Sequence, residues 1–224
     1  TSLVFPLYAT DYTWNAPGAS SWATSSNWFP STGYPQAPSD SAFFTSASVS
    51  NCTISQNLTI GSLTMDEGYT GTISVSGLTA SLKASTITLS GGVLQGISLT
   101  PITATSGLRI SGGQTLLIAC EGNAVTSGGT IGVLRMRGAN SHLTGAPLPG
   151  QVMLQLHINA GKTSLSSSVN PATLTIDAGT TLTLEPLSTV ITASSSIKGA
   201  VRLSSATALT FVQDATVPAE GVIK

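Results

Sequence analysis

The chain of 224 residues carries 8 Lys and Arg against 9 Asp and Glu, a net charge of −1, and is 8% charged where an ordinary soluble domain has about 25%. Cations this few and this scattered exclude a nucleic-acid surface, which needs clustered positive charge, and no run approaches the ~18 apolar residues of a membrane span. Polarity must come instead from 33 Ser and 32 Thr, and with so little charge to hold copies apart the composition favours association.

Residues 1–13 open the chain as an apolar arm. Leu3, Val4, Phe5, Leu7, Tyr8 and Tyr12 mark it as an assembly element, to be docked on its own domain or on a neighbour. Residues 14–44 hold Trp14, Trp22 and Trp28 with the densest Pro in the chain. This segment is expected to cap one end of the fold, because large rings can cover a first rung and Pro lacks the N–H that would extend a strand ladder. A sugar-stacking platform built from the same three Trp is the alternative.

From 45 to 224 the texture becomes repetitive. Short segments such as 57–60, 62–65, 71–75, 86–89, 173–176 and 181–184 alternate apolar and hydroxyl residues. Period 2 puts Leu, Ile and Val on one face of a strand and Thr on the other, where a β-branched side chain suits the pleat. The strands are expected to run four or five residues. Gly91-Gly92, Gly112-Gly113, Gly128-Gly129 and Ala178-Gly179 supply the turns between them. Helical periodicity is missing over any window of about 11 residues, so the chain is all-β. Sandwiches favour longer strands and Asn-Gly or Asp-Gly hairpins, and neither dipeptide occurs. Imperfect repeats of roughly 18–24 residues fit a parallel β-helix, or β-solenoid. Roughly eight rungs would make a rod about 40 Å long. Cys52 and Cys120 would then lie about three rungs, or ~14 Å, apart, beyond disulfide reach, and are read as buried thiols. Asn51-Cys52-Thr53 and Asn57-Leu58-Thr59 match the glycosylation sequon, as chance often produces in so Thr-rich a chain.

Trp14-Asn15, Trp22, Asn27-Trp28, Pro35, Pro38 and Asp40 resemble the "TWnG…W…NW…P…D" opening of a broad group of repetitive β-helix proteins, and residues 51–77 continue the likeness. It covers about residues 13–92, with a looser echo at 173–212, and departs from the pattern where Ala16-Pro17 replaces a Gly-rich turn. Members of this group are bacterial surface and secreted proteins and phage virion structural proteins. The resemblance therefore implies the fold and an architectural role, and no shared activity.

Catalytic constellations are not visible. Asp66 and Glu67 are adjacent and fit a turn before Gly68, while Asp177 and Glu185 sit at strand ends. His142 and His157 have no Cys or acid at ligand spacing, so neither metal nor cofactor is expected. A Ser-His-acid triad finds no support from a Gly-x-Ser-x-Gly elbow. The reading is a non-enzymatic structural protein of a larger assembly, a homo-oligomer and possibly a trimer. Its partner is expected to be a capsid or other assembly protein and its place the virion surface, as a capsid decoration or cement protein. This takes Thr1 as the product of initiator-Met removal. Were Thr1 instead left by a signal peptidase, the chain would be a secreted cell-surface or matrix protein, an adhesin or glycan-binding module.

Overall fold

A computed structural model describes residues 9–77, 79–96, 102–145, 152–186, 188–204, 207–211 and 222–223. Apart from one short 3-10 turn at Ser25–Asn27, every regular element in these residues is a strand, and the strands stack as a parallel β-solenoid of about seven turns. Each coil visits three walls. The first wall is built from segments 57–60, 81–84, 102–104, 118–120, 134–136, 156–158 and 174–176, followed by Ser194–Ile197. Asp11–Trp14, Ser41–Phe44, 62–65, 86–89, 107–110, Asn123–Thr126, 142–145, Lys162–Leu165, Thr181–Leu184 and Ala200–Leu203 form the second. The third contains Ser20–Ser21, Cys52–Ile54, Thr72–Val75, Val93–Gln95, 114–116, 130–132, 152–154 and 171–172. A bridge between Val169 and Val190 carries it on to Thr189–Thr192 and Ala208–Phe211.

The alternation seen in the sequence dictates this arrangement. Along the first wall Leu58, Leu82, Ile102, Ile118, Leu134, Leu156 and Leu174 are register partners on successive coils, all buried. Register pairing stacks aliphatic side chain on aliphatic side chain, each burial stabilising by about 1.5–3 kcal/mol. Strands are not uniformly four or five residues long. Asn57–Met65, Ser81–Leu89 and Ile102–Ile110 each run for 9 residues, because the backbone stays extended through the corner between the first and second walls. Two successive outward residues mark that corner, as at Gly61-Ser62 and Ser85-Thr86, and reset which parity faces inward.

Sharper corners between the second and third walls use the paired glycines. Gly92, Gly113 and Gly129 have φ of +64°, +66° and +77°, and a Cβ on Gly113 would stand 2.6 Å from the Gly91 carbonyl oxygen of the coil beneath. Positive φ and backbone stacked on backbone leave room only for glycine. Both cysteines are free and buried, as their separation required; burial raises both thiol pKa values, that of Cys120 to about 11.

The aromatic segment fills the N-terminal end. Trp28–Phe29 runs antiparallel to Asp11–Trp14 and closes the second wall there with a two-residue edge strand, too short to recruit another chain. The strand Asp11–Trp14 straddles the end of the arm, and Ser41–Phe44 pairs with 62–65, so cap and solenoid share one continuous wall.

Candidate functional site

Leu3, Val4, Phe5, Leu7 and Tyr8 lie outside the described residues. Tyr12 is described: it points inward from Asp11–Trp14, its ring edge-on to Trp28 with centroids 6.3 Å apart. Trp14, Trp22 and Trp28 are 0%, 0% and 1% exposed and cluster with Phe44, the Trp22–Trp28 centroids being 4.8 Å apart. Each indole N–H is satisfied: Trp14 donates to the Ser50 carbonyl at 3.1 Å, Trp22 to that of Pro35 at 2.8 Å and Trp28 to that of Trp22 at 2.7 Å. A sugar stacks only on an exposed ring face, and these rings expose none. They are the core of the cap, and the platform alternative is set aside.

The polar members of the same motif also serve the cap. Buried Asn27 donates to Ser20 Oγ at 2.7 Å and to the Ser21 carbonyl at 3.0 Å. Asp40 accepts the backbone N–H groups of Gln36 and Ala37 at 3.1 and 2.9 Å, tying down the loop that leads into Ser41–Phe44. Asp66 occupies the expected turn, its Oδ1 accepting from the N–H groups of Gly68 and Tyr69.

Stacking brings together histidine–acid pairs that linear spacing hides. His142 on the second wall contacts Ser164 Oγ through Nδ1 at 2.7 Å and Ser166 Oγ through Nε2 at 2.9 Å, with Glu185 Oε1 3.6 Å from Nδ1. The residue types are those of a hydrolytic triad. Yet Ser164 lies closer to Nδ1 than the acid does, and Ser166 shares its hydroxyl with Thr144 at 3.1 Å, so the group is a ladder linking three coils. On the first wall His157 Nε2 stands 3.0 Å from Asp177 Oδ2, which also accepts from Asn159 Nδ2 at 2.7 Å. Partial burial opposes ionisation of Asp177, but contacts with His157 and Asn159 and the charge of Lys198 outweigh it and hold the carboxyl below its usual range. Among the described residues no three His, Cys, Asp or Glu come together as a metal site, and no helix is long and apolar enough to cross a membrane.

The third wall differs from the other two. Asp11, Lys83, Arg109, Arg135, Lys162 and Arg202 all stand on the strands of the first and second walls, and Glu121, Arg137, Asp177 and Lys198 on the corner between them. Among the described residues, not one Asp, Glu, Lys, Arg or His lies in the strand segments of the third wall. Its outer side instead exposes Leu116, Val152, Leu154 and Ile191 at 53%, 45%, 54% and 38%. Sequence reading passed these residues over, though a signal was present. In Leu116-Leu117-Ile118 and Val152-Met153-Leu154 the alternation lapses, and an aliphatic residue sits where a hydroxyl belongs.

Comparison with family models, with curated proteins and with solved structures found no match.

Proposed function

We propose that the chain is a non-enzymatic structural component of a larger assembly, most concretely a decoration or cement protein on the surface of a phage virion. The observation that carries this reading is the segregation of charge, which leaves one full wall of a rigid rod uncharged and studded with exposed aliphatics. Such a face is costly to leave in water and is the usual mark of a surface that another surface covers. Two further features support it: the solid interior is devoted to packing, and the blunted, aromatic-filled end discourages uncontrolled stacking of rods.

Immunogold labelling and peptide mass spectrometry of purified particles and of cell envelopes from the source test the reading. Labelling of particles at regular density is expected. Labelling confined to cell envelopes or culture supernatant would replace it with the secreted adhesin. A non-enzymatic role also requires that ester turnover by the purified chain be unchanged in Ser166→Ala; a burst of product lost in that variant would count against it.

A further inference from the structure

The third wall carries a second pattern besides its lack of charge. Register pairing places Leu116, Gly132, Leu154 and Ala172 at one outward position on four successive coils, because Leu117 pairs with Val133, Val133 with Gln155 and Gln155 with Thr173. The column therefore reads large, small, large, small. Beside it runs a second outward column of Val93, Gln114, Thr130, Val152, Asn170 and Ile191, one residue per coil.

We infer that this wall is the interface of a two-fold homodimer in which the two solenoids lie antiparallel, third wall against third wall. Consider a two-fold axis that runs along the strand direction, midway between the coils of Gly132 and Leu154. It sets Leu116 of one copy against Ala172 of the other and Leu154 against Gly132, so each leucine meets a small residue. The same operation sets Val93 against Ile191, Gln114 against Asn170 and Thr130 against Val152: an apolar pair, an amide pair and a threonine whose methyl group can meet valine. A parallel arrangement would instead oppose leucine to leucine and glycine to glycine, leaving alternate clashes and voids. Self-complementarity under one rotation is what an isologous contact requires, and it singles out a second copy of this chain as the occupant.

Magnitudes agree. About this axis the coils from Thr72–Val75 to Ala208–Phe211 overlap, and at ~4.8 Å per rung and ~3.3 Å per residue a face about 38 Å tall and about 13 Å wide offers about 500 Å² per copy. Two copies remove about 1,000 Å² in all, the threshold of a specific interface, so every overlapping coil must be used and not the aliphatic patch alone. A net charge of −1 sets no appreciable Coulomb barrier between copies.

The inference rests on the assembly reading, which it deepens by naming one partner and one surface. Sedimentation equilibrium of the purified chain is expected to give twice its mass of 22.6 kDa. Leu116→Glu and Ala172→Lys, each on the exposed outer side, are expected to halve that mass with the far-ultraviolet circular dichroism unchanged. Combining them in one chain should restore the dimer, since the new acid of each copy meets the new base of the other. Within one chain the two positions are three rungs, about 14 Å, apart and cannot pair. A monomeric or trimeric parent, single variants that stay dimeric, or a double variant that stays monomeric would each overturn the inference. Failure here is separable from failure of the assembly reading: a monomer still recovered from purified particles sinks only the dimer, and a dimer never found in particles sinks only the virion role.

Discussion

Trp22 shows how little of the aromatic cluster is spare. Its ring packs on Trp28 and Phe44, and its N–H is the donor to the Pro35 carbonyl. Trp22→Ala removes both contributions and opens a cavity, so a loss of about 3–5 kcal/mol is expected in urea unfolding. Asp177 gives a different kind of prediction. Its folded pKa lies below the unfolded value of about 3.9, so its contribution is complete above that pH and disappears as pH falls through the lower folded value. Asp177→Asn should therefore lower stability at neutral pH and shrink the stability difference from the parent below about pH 4, as thermal melts across pH would reveal. Neither residue could be assigned its partner from the sequence. His157 and Asp177 are neighbours only because the coil between them stacks His157 on Thr175, which brings Asp177, two residues further on, within reach, and coil length varies from turn to turn.

Elements were more legible than partners. Apolar–hydroxyl alternation identified the inward residues of most strands, and the double glycines marked the sharp corners, because both signals are local. What escaped was the extended corner between the first and second walls, where the two outward residues in succession are Gly61-Ser62 on one coil and Ser85-Thr86 on the next, so no fixed residue type marks it. Gly113 and Gly179 separate the two reasons a corner glycine is needed. Both have positive φ, +66° and +76°, but a Cβ on Gly113 would strike the coil beneath while one on Gly179 meets nothing within 4 Å. Gly179→Ala should cost about 1 kcal/mol from backbone strain alone, and Gly113→Ala more than that, toward 3 kcal/mol. Equal shifts in the urea midpoint would mean that the stacked corner yields easily.

At the scale of the whole molecule, stability is a sum over coils and their neighbours. Ile102, Ile118 and Leu134 are register partners on successive coils of the first wall. Deleting residues 118–133 removes one complete coil and joins Leu117 to Leu134 in phase. The shortened chain is expected to fold, with a lower melting temperature and a maximum dimension smaller by one ~4.8 Å rung in X-ray scattering. A deletion that instead abolishes folding would show that the coils are not interchangeable neighbours.

Composition and a two-residue period were enough to establish an all-β solenoid with an aromatic segment at one end, since both follow from nearest-neighbour chemistry that any stretch of chain displays. Which wall each strand joins was decided only in three dimensions. Charge appeared scattered along the sequence because successive strands belong to different walls, and folding sorts every third strand onto one face. That sorting left the third wall without charge, brought His142 to Glu185 and His157 to Asp177, and lined up Leu116, Gly132, Leu154 and Ala172 from four separate coils.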